Sequence, residues 1–212
     1  QGPIVQLRET GGRVEVLDDP EPGVVWDGPL VVLVDRFSAS ASEIFAAAIQ
    51  DYGRGIIVGQ QTFGKGSVQN LYPLDRYALG SDPGFGQLTV TIGKYYRVTG
   101  ESTQHRGVQP DIALPTGISP DEVGESTRES ALPWDRILPV DYTKQAVLSQ
   151  AVAELTRAHE ERVANDPNFK LMLAELEAHD RARSQKRVSL NLQARMAERE
   201  RLDKERLDRE NQ

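Results

Sequence analysis

The chain has 212 residues and a formal net charge of −7, long enough for a sizeable core and too acidic for nucleic acid as a partner, since phosphate binding needs a basic surface. It has no cysteine, which excludes disulfides, thiol catalysis and thiolate metal sites. No apolar stretch approaches the roughly 20 residues that span a bilayer, and a start at Gln1 without methionine or leader is most simply read as the loss of an upstream region.

The first marked element is Pro29 to Asp35, a short, β-branched apolar run expected to form a strand buried on both faces. A helix should follow at once, with Ile44, Phe45, Ala48 and Ile49 facing the sheet and Gly53 just past its end, where a left-handed residue commonly stops a helix. Gly55 to Gly59 reads as a second buried strand, so strand, helix and strand make a right-handed crossover unit. Gly66 to Tyr72 and Gln87 to Val98 alternate apolar with polar residues, as half-covered strands do. The residues between them, with Gly80, Pro83, Gly84 and Gly86, suit a loop or hairpin tip, and Val108 to Ile112 a short edge strand confined there by Pro110.

Residues 116–140 contain Pro120, Pro133 and Pro139 and little periodicity, and read as a connector. From Asp141, a candidate cap, the composition favours helix: one ending near Asn165-Asp166-Pro167, a second from Asn168 to about Arg183, then a small strand over Val188 to Leu192. The tail beyond is highly charged and has too few apolar residues for a sturdy face, so a frayed or partner-dependent helix is expected rather than a coiled coil. The whole predicts an α/β chain: a layered α/β sheet core over residues 1–115, the connector, and a mainly helical region over 141–212.

Two segments carry candidate chemistry. Ser40-Ala41-Ser42-Glu43 on its own spells a capping box, with the serine accepting at the helix start and Glu43 reaching back. The same position, a sharp strand-to-helix turn, also exposes a hydroxyl where a helix N-terminus favours developing negative charge. Ser38 and Ser42 compete with Ser40 for that role. Lys65 lies between two glycines, as an exposed loop lysine would, yet Phe63 and Val68 can desolvate it and so favour the neutral amine that a general base requires. Gln69, four residues on, shares a strand face with Lys65 and could orient its amine. Gly59 to Lys65 fits the first seven positions of a phosphate-binding loop, but Gly66 stands where Ser or Thr is needed and a strand follows. His105, His159 and His179 lack the spacing of a metal pair, and Asp35 suits a strand end whose carboxylate satisfies the turn.

Val34-Asp35-Arg36-Phe37-Ser38-Ala39-Ser40-Ala41-Ser42-Glu43 with Thr62-Phe63-Gly64-Lys65-Gly66-Ser67-Val68-Gln69 resembles the carboxyl-terminal processing peptidases, most closely their tail-specific branch, from about Gly2 to at least Asp111 and more loosely to Asn191. The resemblance implies part of a ClpP/crotonase-like catalytic domain, with Ser40 as nucleophile, Lys65 as base, Gln69 completing a Ser-Lys-Gln constellation and the Ala41 N–H as an oxyanion donor. It implies no cofactor, a periplasmic location, unstructured protein substrates with apolar C-termini, and a helical-repeat lipoprotein adaptor in some members. It also implies that a PDZ domain and upstream catalytic segments lie outside this chain, so the fragment alone is expected to be inactive or nearly so. The competing expectation is a non-catalytic structural or partner-binding module.

Overall fold

The computed structural model describes residues 2–21, 23–77 and 84–210; the loop expected around Gly80 and Pro83 lies outside them. The chain forms two compact units, one made of Gln1–Leu114 with Ile118–Ser149, the other of Pro115–Gly117 with Gln150–Gln212.

The first unit is α/β. In chain order it contains β1 (Pro3–Glu9), β2 (Val14–Asp18), β3 (Val31–Val34), α1 (Ala41–Asp51), β4 (Ile56–Gly59), β5 (Ser67–Pro73), β6 (Gln87–Tyr96) and β7 (Ile112–Ala113). One sheet has the order β2-β1-β6-β5, all antiparallel, and the other has β3-β4-β7, all parallel. The crossover from β3 through α1 to β4 is present, with Val31 to Val34 paired against Ile56 to Gly59, and Gly53 follows α1 at φ 62°. The closing strand is shorter than expected and takes the edge position beside β4.

The buried core joins Val34, Ala46, Ala47, Ile57 and Val108. Two expectations about the faces fail here. Phe45 is 55% exposed, whereas Ala46 and Ala47 point inward. Ala46, Ala47 and Ala48 make either side of α1 apolar, and the buried carboxylate of Glu43, which must face its donors, selects the side. Among the described residues β3 is covered on one face only: Val31 is 54% and Leu33 76% exposed.

The C-terminal end of α1 carries no basic residue of its own. Arg97, just beyond β6, supplies one from outside: its guanidinium donates to both Asp51 carboxylate oxygens, at 2.5 and 3.0 Å, and to Gln50 Oε1 at 2.9 Å. A cation at a helix C-terminus also complements the helix dipole. Residues 118–149 run over this unit with little regular structure and are bound to it along their length. Arg36 donates to Val123 O at 2.5 Å, Val140 N to Val98 O at 3.0 Å and Gln145 N to Tyr52 O at 2.8 Å. Asp135 accepts from Arg8 (2.6 Å), Tyr96 (3.0 Å) and Lys94.

The second unit consists of α2 (Ser149–Val163), α3 (Pro167–Ser184) and α4 (Leu192–Glu210). Asp141 does not cap α2, which begins at Ser149. Asp166 does cap α3, accepting from Asn168 N and Phe169 N, with Pro167 in the first turn. The small strand expected at Val188–Leu192 does not form; α4 starts at Leu192 instead. That charged helix is supported by ion pairs one turn apart, Arg195–Glu198 at 2.5 Å and Arg201–Glu205 at 2.6 Å. Arg209 ties it to Glu175 of α3 at 2.8 Å. Among the described residues no helix is long and apolar enough to cross a membrane.

Candidate active site

β3 delivers the chain into a turn whose geometry Asp35 fixes: its Oδ1 accepts from Phe37 N and Ser38 N, each at 2.9 Å. Ser38 is consumed in the same turn, exchanging hydrogen bonds with Asp35 through its hydroxyl. Ser40 comes next, immediately before α1, with φ 59° and ψ −117°. A β-carbon is disfavoured at such angles, and holding a serine there costs on the order of 1–3 kcal/mol. A strained serine at the junction of a strand and a helix is the geometry that presents a hydroxyl as a nucleophile. Ser42 is an ordinary exposed residue of the first helical turn.

The N–H groups of Ser42, Glu43 and Ile44 are taken up by Ala39 O and Ser40 O. Among the described residues the N–H of Ala41 has no such acceptor, and Ala41 is exposed at the start of α1.

Lys65 reaches this turn because one carboxylate gathers both segments. Glu43 is fully buried. Its Oε2 accepts from Ser40 N and Lys65 N, both at 2.9 Å, and its Oε1 from Gly64 N at 2.7 Å and Thr62 Oγ1 at 2.5 Å. Thr62 Oγ1 in turn accepts from Val108 N at 2.7 Å. Burial pushes the Glu43 carboxyl up, against the pull of the four donors around it. From the other side the Tyr95 hydroxyl bonds to Ser40 O at 3.1 Å and to Lys65 O. Burial raises the Tyr95 phenol further above its ordinary range, with the Glu43 charge adding to the effect, so it remains a donor. The backbones at Ser40 and Lys65 are thus held together at N–H by one group and at C=O by another.

The glycines around Lys65 have a different reason from loop flexibility. Gly64 has φ 89°, and a β-carbon on it would meet the backbone of His105 at 2.8 Å. One on Gly66 would meet Gln104 N at 2.8 Å. Gly66 N donates to Gln104 Oε1 and His105 N to Gly64 O, so residues 64–66 lie directly against residues 104–105. β5 follows Lys65 with no helix, which removes the phosphate-loop reading.

Of the four residues singled out from sequence, Ser40, Ala41 and Lys65 are brought together by this clamp. Gln69 lies on β5 with its amide 3.4 Å from Thr91 Oγ1. Among the described residues no hydrogen bond joins the side chains of Ser40 and Lys65; such contacts are often loose without substrate. Sequence reasoning saw Glu43 only as a helix cap and missed Thr62 and Tyr95, whose roles depend on segments far apart in the chain. No group of acidic or histidine side chains among the described residues could hold a metal.

Comparison with known proteins places this geometry in context. Residues 1–114 match the model of peptidase family S41, and residues 118–212 that of the C-terminal domain of tail specific protease (DUF3340). The chain is 44% identical over 210 residues, 97% of its length, to a tail-specific protease of Haemophilus influenzae, of which it spans 30%. It is 45% identical over 115 residues to a carboxy-terminal-processing protease of Bartonella bacilliformis, covering 54% of this chain and 25% of that one. Among solved structures, a photosystem II D1 C-terminal processing protease is 34% identical, with a TM-score of 0.45 over 53% of this chain and 27% of that chain.

Proposed function

The chain belongs to peptidase family S41, and from that premise we propose that it supplies the nucleophile and base of a serine endopeptidase of the carboxyl-terminal processing type. The observation that carries the reading is Ser40, a serine in a strained backbone at a strand-to-helix turn, with the Lys65 segment bound beside it.

Ser40 Oγ attacks the scissile carbonyl while a neutral Lys65 amine takes its proton. The oxyanion that forms is stabilised by the Ala41 N–H, and the Lys65 ammonium then protonates the departing amine, leaving an acyl-enzyme on Ser40. Water, deprotonated by Lys65, resolves the ester. Gln69 exchanges its contact with Thr91 for the lysine amine and holds it toward Ser40. No cofactor enters the cycle.

Because the chain spans 30% of the Haemophilus relative, proteolysis is proposed for the protein at its relatives' full length and not for this stretch alone. A second oxyanion donor is expected from outside these residues, and losing one such donor typically costs about 10²–10³ in rate. We place the full-length protein in the periplasm, acting on unstructured polypeptides with apolar C-termini and, with some partners, through a helical-repeat lipoprotein adaptor.

The test is Ser40→Ala and Lys65→Ala in the full-length protein. Each should abolish cleavage of an unstructured polypeptide while leaving the melting transition in place. Cleavage that survives Ser40→Ala would refute the reading.

A further inference from the structure

We propose that the substrate polypeptide binds as an added strand along the outer edge of β5, an inference that rests on the reading of Ser40 and Lys65 as the reacting pair. β5 is the last strand in the order β2-β1-β6-β5, so among the described residues only one of its edges is paired. It begins at Ser67, two residues beyond Lys65, and is continuous with the active-site segment.

The phase of its hydrogen bonds decides which groups face outward. Gly66 O accepts from Tyr95 N, and Leu74 N donates to Gly86 O. Antiparallel bonds join only directly opposed residues, and along a strand they alternate with unbonded positions. The register of Asn70 against Val90 and Tyr72 against Leu88 therefore turns the even-numbered residues toward β6. Gln69 and Leu71 then present their N–H and C=O groups to the open side. Pro73 has the same phase, and lacking an N–H it ends the usable edge.

Both edge residues are exposed, Leu71 by 62%. Ser67 has the same phase but is buried, so the open stretch starts after it. An edge that offers main-chain donors and acceptors recognises an extended main chain and tolerates many side chains. From Lys65 to Leu71 the chain runs about 20 Å at 3.3 Å per residue. That is long enough to align several substrate residues with the reacting serine. A folded substrate cannot offer such a strand, which gives selection for unstructured polypeptides a physical basis.

The test uses the full-length protein carrying Leu71→Pro, which removes an outward N–H without touching a bond to β6, beside Leu71→Ala, which keeps the N–H. Two rates are measured: cleavage of an unstructured fluorogenic peptide with an apolar C-terminus, and acylation of Ser40 by a small fluorophosphonate that needs no strand pairing. The expected result is a fall of about tenfold or more in peptide kcat/KM for Leu71→Pro, against labelling within about twofold and a near-normal Leu71→Ala. Equal peptide cleavage by the two variants would overturn the proposal. Absence of Ser40 labelling in the unsubstituted protein would instead remove the Ser-Lys reading and this inference with it. Should Leu71→Pro fail to fold, amide hydrogen exchange in Ser40→Ala decides: saturating peptide should slow exchange at Gln69 and Leu71, and unchanged exchange would overturn the proposal.

Discussion

Glu43 shows how one side chain can serve helix, loop and site together. Its two oxygens hold four donors, two of them the N–H groups of Ser40 and Lys65. A glutamine there keeps the shape but has one acceptor oxygen, and its NH₂ would confront donors. Glu43→Gln is therefore expected to cost about 2–5 kcal/mol, since each buried donor left unpaired costs about 1–3 kcal/mol. Activity should fall further than the loss of folded protein explains; urea unfolding and active-site titration on the same sample separate the two effects. Ser40 gives a prediction of opposite sign. Glycine accepts φ 59° without strain, so Ser40→Gly should be inactive yet melt above Ser40→Ala by the equivalent of about 1 kcal/mol, which calorimetry can resolve. The capping box made the Glu43-to-Ser40 half of this arrangement legible in sequence. The bonds from Glu43 to Thr62, Gly64 and Lys65, and the bridge from Tyr95, were not legible, because no local pattern says which distant donors a buried carboxylate will meet.

Among the elements, those with a strong local signature were the readable ones. β3, α1 and β4 followed from an uninterrupted apolar run, a capped helix and a glycine stop, and β5 and β6 from alternation. β1 and β2 went unread. For β2 the signal is Val14 and Val16 alternating with Glu15, after a Gly11-Gly12 turn, and it is short and solvent-exposed. Ile49, on the expected inward face of α1, does pack against the core, but the turn of that face from Phe45 to Ala46 and Ala47 could not be read from three successive alanines. The helix is also held at its far end by a contact invisible in sequence, the pair of Arg97 with Asp51, whose side chains are 14% and 6% exposed. Asp51→Ala leaves a buried guanidinium without its partner and should destabilise the first unit by about 3–5 kcal/mol in denaturant titration. Arg97→Ala in the same background should cost less than it does alone.

At the scale of the whole molecule, the family models and the packing divide the chain differently. The peptidase model ends at residue 114 and the C-terminal domain model begins at 118, yet residues 118–149 pack within the first unit. Glu125 N donates to Phe63 O at 3.0 Å, and the Arg36 guanidinium joins Val123 O to Thr62 O, so this stretch braces the loop that leads to Lys65. A chain ending at residue 149 should keep the cooperative melting of the first unit, whereas one ending at residue 117 should lose it, as circular dichroism on the two truncations would show. The same bracing gives the site a place in time. During synthesis at about 5–20 residues per second, the roughly 60 residues between Lys65 and Glu125 take several seconds to appear. Until they do, the Lys65 loop lacks its brace, so a nascent chain carries Ser40 for seconds before that loop is fully secured beside it.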